Sequence, residues 1–142
     1  MVVAKKKNFL GLDIYESAED EPYMSKDQKE HFLKILQVWY RLLISEMNEF
    51  KTSLQLEELC MDDVDKASYE ENQRMSFKTS ERRSKLQKKV KEAIDRLWTL
   101  EYGYCKVCLE EIGLNRLEAR PTADQCISCK TIAELYEQRS LE

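Results

Sequence analysis

Three glycines and two prolines among 142 residues leave almost nothing from which to build a glycine-rich phosphate loop. The same scarcity excludes collagenous, Gly/Ser-rich and Pro-rich disordered chains and disfavours dinucleotide and P-loop enzymes. The single histidine, His31, has no Ser/His/Asp or Cys/His arrangement around it, so a place on a helix is expected rather than a catalytic dyad. No apolar run approaches the roughly 18–20 residues that span a bilayer. The first twelve residues carry Lys5, Lys6 and Lys7, but Asn8 and Gly11 break their apolar part and Asp13 ends it, too early for a secretory signal. A cytoplasmic protein without membrane contact is expected. In that reducing compartment five cysteines read as free thiols or metal ligands before disulfides.

What is present is 42% hydrophobic and 35% charged, which suits one modest domain or two small ones. The net charge of −4 argues against a surface that tracks nucleic acid throughout. The charge is segregated. Residues 57–71 hold seven acids against Lys66 alone, and residues 74–97 hold nine bases against Glu81, Glu92 and Asp95.

From Tyr23 to Tyr102 the chain has 80 consecutive residues without Gly or Pro, so long helix is the default. Ser25-Lys26-Asp27-Gln28 has the Ser-x-x-Gln form of a capping box and predicts a helix start near Lys26. Phe32, Leu36, Trp39, Leu43, Met47, Phe50 and Leu54 then form one apolar stripe, and Leu86, Val90, Ala93, Leu97 and Leu100 form a second with coiled-coil spacing. One unbroken helix would leave both stripes wet. The chain is therefore expected to fold back once, at Asp62-Asp63-Val64-Asp65, into a thin antiparallel rod with arms of about 50 Å. Continued towards the turn, the second stripe reads Arg82, Thr79 and Met75, so the far half of the rod is expected to be the less stable half. The reading is a mainly α fold: a segment 1–24 beside the module, a coiled-coil hairpin 25–101 with its tip at 62–67, and a small four-cysteine zinc-finger module 102–142 with a carboxy-terminal helix.

Cys105-x-x-Cys108 and Cys126-x-x-Cys129 are two knuckles with 17 residues between them, the spacing of a four-thiolate structural zinc site. Four thiolates leave no open position for water or substrate, and a segment this small needs a staple. Two disulfides, four free thiols or iron–sulfur ligation are the competing readings. Cys60 is expected as a semi-buried thiol near the tip. Asp62 and Asp63 have a local reading as helix caps. Three acids in four residues at the end of a rod also suit reaching a cation, a metal site or a basic surface. Arg82 to Lys91 reads as a solvated face or as an anion site. Arg82, Leu86 and Lys89 share a helix face, and Arg116, Arg120 and Lys130 from the module could close round a phosphate-bearing ligand.

Several runs together resemble the DksA/TraR zinc-finger family: Tyr102-Gly103-Tyr104-Cys105-x-x-Cys108, Glu111-Ile112-Gly113, Arg116 through Asp124, Cys126-x-x-Cys129-Lys130-Thr131, and the tip pattern Asp62-x-x-Asp65-x-Ala67. The resemblance covers the chain from about Glu21 onward. It implies that the rod enters the secondary channel of bacterial RNA polymerase and brings Asp62, Asp65 and Ala67 near the active centre, destabilising or redirecting promoter complexes. It further implies that ppGpp is held at the polymerase rim by Arg82, Leu86, Lys89, Arg120 and Lys130, with regulation of ribosomal RNA and amino-acid promoters in the stringent response. Asp63 stands where Pro is common in the family, and Asn115 where a basic residue is common.

A non-enzymatic, monomeric regulator with one structural Zn2+ and no specific DNA binding is the leading expectation. The alternatives are a Gre-like transcript-cleavage factor, whose tip acids help hold a catalytic metal, and a zinc-stapled helical adaptor or DNA-binding finger, whose affinity would fall steeply with salt.

Overall fold

The computed structural model describes residues 5–60 and 66–141. Its elements are α1 (Lys26–Leu59), α2 (Lys66–Trp98), α3 (Leu114–Ala119) and α4 (Ile127–Arg139). The expected turn at 62–65 lies outside the described residues. No described helix is long and apolar enough to cross a membrane.

Helix α1 starts where the capping signal places it, with a changed partner. Ser25 Oγ accepts from the Gln28 N–H at 3.2 Å, while the buried Gln28 Oε1 accepts from the Met24 N–H at 2.8 Å, one residue ahead of the cap. The Ser25 N–H is free for this shift because it donates to the Pro22 carbonyl at 3.2 Å.

α1 and α2 run antiparallel. Lys26–Leu33 face Leu97–Leu100 at one end, Glu46 pairs with Arg83 at 3.8 Å midway, and Glu57 and Cys60 face Ser68–Ser76 at the other. At a rise of about 1.5 Å per residue each arm is about 50 Å long. The buried stripe holds Phe32, Ile35, Leu36 and Leu43 against Val90, Ala93 and Leu97, and it thins to half-buried positions at Met47, Phe50 and Leu54.

Two seam expectations are corrected. Leu100 is 66% exposed, because α2 stops at Trp98 and Leu100 turns into a left-handed conformation (φ 63°). The distal seam of α2 runs through Tyr69, Gln73, Ser76, Ser80 and Arg83, which are half-buried, whereas Met75, Thr79 and Arg82 are exposed. A seam averaging 3.5 residues alternates steps of 3 and 4. Two successive steps of 4, from Val90 through Leu86 to Arg82, shift the register by one position.

The rod and the cysteine-bearing segment share one core. Tyr102, Cys105, Ile112, Leu117 and Ala123 are buried in the same cluster as Phe32, Leu36 and Val90. Two tyrosines lock the joint. The buried Tyr102 hydroxyl donates to the Pro121 carbonyl at 2.6 Å, and burial pushes its pKa well above the ordinary range. Tyr23 donates to the Gly103 carbonyl at 2.7 Å and accepts from the Gly113 N–H at 3.0 Å. Gly103 sits at φ 90° against the Met24 side chain, where an added Cβ would lie 2.9 Å from Met24 Cγ; only glycine satisfies both constraints.

Candidate metal centre and anion cavity

The first knuckle is a short reversal. Tyr104 pairs with Glu111 in an isolated bridge, the Cys105 N–H donates to the Glu110 carbonyl at 2.8 Å, and Leu109 takes φ 63° to close the turn. The second knuckle is a helix start: Cys126 is the N-cap of α4, and its Sγ accepts from the Cys129 N–H at 3.5 Å. Each knuckle turns two thiols towards one point, and all four Sγ atoms lie within 4.8 Å of one another, with Cys108 and Cys126 at 3.7 Å. A tetrahedral ion with metal–sulfur bonds of about 2.3 Å needs sulfurs about 3.8 Å apart, so these four residues fit one ion. They form one cluster of free thiols and not two bonded pairs.

The thiols differ in charge preference. Burial opposes ionisation of Cys105, but the N–H groups of Cys108, Cys126 and Val107 outweigh it and bring the thiol down to about 6. Cys129 is pushed up to about 12, chiefly by its hydrogen bond with Cys126 and then by burial. A cation at the centre reverses that logic by favouring every thiolate. Cys60, expected half-buried, is exposed, because the seam has already faded where α1 ends.

Between the base of the rod and this module lies a cavity of about 600 Å³. Leu86 and Lys89 enter from α2, Arg120 from the end of α3 and Lys130 from α4. These come from three separate stretches of sequence. Arg82 is exposed on α2 and does not line the cavity. Ala67 lies in the first turn of α2; Asp62 and Asp65 lie outside the described residues.

The cavity also takes in Trp39, Arg96, Lys106 and Arg116. Arg96 stands seven residues after Lys89, so helical spacing alone could have added it. Its Nε is buried without a hydrogen-bond partner among the described residues, while Nη2 and Nη1 donate to the Thr122 and Ala123 carbonyls at 3.4 and 3.5 Å. Arg116 Nε donates to the Gln125 carbonyl at 3.1 Å. Lys106 and Lys130 pair with Asp124 (3.2 Å) and Glu134 (3.6 Å). Such exposed pairs are weak and can yield to a multiply charged anion.

His31 is half-buried and paired with Glu118, a contact that the sequence did not signal.

Two family models match this chain. The amino-terminal domain of DnaK suppressor protein DksA matches residues 28–97, and the prokaryotic dksA/traR C4-type zinc finger matches residues 101–135. The RNA polymerase-binding transcription factor DksA of Haemophilus influenzae is 41% identical over 130 residues, covering 91% of this chain and 90% of that protein. The protein of the same name from Escherichia coli K12 is 39% identical over 130 residues, with 91% and 86% covered. Among solved structures, transcription factor DksA2 from Pseudomonas aeruginosa superposes with a TM-score of 0.78 at 35% identity, covering 82% of this chain and 90% of that one.

Proposed function

The chain belongs to the DksA/TraR zinc-finger family, and from that membership we propose how it acts as an RNA-polymerase-binding transcription factor that is not an enzyme. The rod, residues 25–101, enters the secondary channel of bacterial RNA polymerase and carries Asp62, Asp65 and Ala67 to the active centre, where promoter complexes are destabilised or redirected. The module, residues 102–142, stays at the channel mouth with the segment 1–24 packed beside it. One structural Zn2+ held by Cys105, Cys108, Cys126 and Cys129 staples the module, supplying fold energy and no reaction step. ppGpp binds at the interface with polymerase through Arg82, Leu86, Lys89, Arg120 and Lys130. The protein acts as a cytoplasmic monomer in the stringent response.

The observation that carries this reading is the convergence of Leu86, Lys89, Arg120 and Lys130 on one cavity at the base of a rod about 50 Å long. Multiple cations around a concave site suit an anion with several phosphates, and a thin rod suits a channel. The test is transcription from an rRNA-type promoter with and without ppGpp. Asp65→Asn should lose regulation while polymerase binding persists, and Lys89→Ala or Lys130→Ala should lose the ppGpp synergy. Backtracked complexes should be cut no faster with the protein than without it. Parent-like behaviour of all three variants sinks the proposal.

A further inference from the structure

Four of the five residues assigned to ppGpp are cations, which recognise phosphate, and none of the five is aromatic. The cavity supplies the missing surface. Trp39, from α1, lines it together with Leu86, while Arg96 and Arg116 line it with Lys89 and Arg120. Leu86 to Arg96 spans ten residues of α2, about 15 Å. The apolar part of the wall, Trp39 and Leu86, lies nearer the far end of the rod, and the rest is mainly polar, with six cations against Glu92, Asp124 and Glu134, over about the length of an extended nucleotide.

We infer that Trp39 is the wall on which the base of the bound nucleotide stacks, and that Phe9 is the residue that positions it. This deepens the ppGpp reading and rests on it. Indole is a large flat platform for stacking, and a base carries no charge for the cationic end to attract. Phe9 meets Trp39 edge-on, with ring centroids 4.9 Å apart and planes at 70°. It is still 52% exposed, so its own burial is a poor reason for its position. A built turn puts it there: Asn8 Oδ1 accepts from the Leu10 and Leu12 N–H groups at 3.0 Å each, Lys7 bridges to Asp13, and Gly11 takes φ 76°. A segment outside both family-model matches thereby acquires a role at the site.

The experiment uses the full chain with RNA polymerase and reads the ppGpp concentration that gives half of the synergistic effect, with inorganic pyrophosphate as competitor. Trp39→Leu should raise that concentration about tenfold and leave the pyrophosphate competition unchanged, and Trp39→Phe should restore it to within about twofold. Phe9→Ala should raise it about threefold, with Phe9→Tyr restoring it. Lys89→Ala should weaken both ppGpp and pyrophosphate. If Trp39→Leu responds like the parent while Lys89→Ala loses synergy, the stacking wall is wrong and the site stands. If both respond like the parent, the site is wrong and the wall falls with it. Should Trp39→Leu lose helicity or bound zinc, Phe9→Ala decides: a threefold shift upholds the inference, and no shift overturns it.

Discussion

His31 Nε2 on α1 lies 2.5 Å from Glu118 Oε1 on α3, and the same oxygen accepts the Tyr15 N–H at 2.9 Å. One buried carboxylate of the cysteine-bearing module thus joins it to the rod and to the amino-terminal segment, through residues 87 and 103 positions away in sequence. Its second oxygen has no partner among the described residues.

Removing that carboxylate by Glu118→Ala should strand the Tyr15 N–H and one donor of His31, at a cost of about 1–3 kcal/mol. Thermal unfolding reads the loss, and proteolysis should open first within residues 5–20. A variant with parental melting and parental proteolysis would show that the three parts are held together by other contacts.

Glu21 gives a pH dependence whose sign can be worked out. Its carboxylate accepts from the Ser25 hydroxyl and from the Tyr15 hydroxyl at 2.6 Å, and these bonds, Ser25 first, hold its pKa below the usual carboxylate range. A depressed folded pKa stabilises above the unfolded pKa, and that contribution is lost as pH falls through the folded value. Melting temperature measured from pH 6 down to pH 3 should fall more steeply for the parent than for Glu21→Gln. Identical slopes would remove Glu21 from the account.

Metal removal should unmake the module, because Cys105 is buried in the core shared with the rod and Cys126 and Cys129 pack against that core. A chelator, or Cys129→Ser, should abolish one bound zinc per chain and expose residues 102–141 to protease while most of the helicity of α1 and α2 remains. Metal affinity should fall as pH is lowered, since Cys108 and Cys129, whose pKa values are raised, must lose their protons to bind. Retention of a protease-resistant module without metal would contradict this.

The corrected seam makes its own prediction. Ser76→Leu and Ser80→Leu place apolar groups at half-buried positions and should each stabilise the far half of the rod by about 1 kcal/mol. Met75→Leu, at a 65% exposed position, should change little. Hydrogen exchange in residues 47–59 and 68–83 distinguishes the two outcomes; equal protection in all three variants would favour the discarded register.

Apolar periodicity made the two long helices legible, and Leu86 through Leu97 set the proximal seam, since each of these side chains has a large preference for leaving water. Register was lost where that preference vanishes: Ser76, Ser80 and Arg83 lie in the seam with no apolar signature. The knuckles were legible because metal ligation fixes both residue type and spacing. Of the five residues carried over for ppGpp, four meet in the cavity; Arg96 could have been added from its spacing to Lys89, but Trp39 had no signal marking it as their neighbour, because it also fits an ordinary helix stripe.

By itself the sequence determined the local matters: where α1 begins, that two helical arms must fold together, and that four thiols converge. Those follow from propensity, capping and ligand chemistry, which act over a few residues or repeat at a fixed period. Only the tertiary structure decided which cations share a cavity, that Phe9 reaches Trp39, and that Glu118 serves three elements at once. Such meetings depend on how the module docks on the rod, a geometry set by the combined packing of Tyr102, Leu117, Phe32 and Val90 rather than by any one stretch of chain.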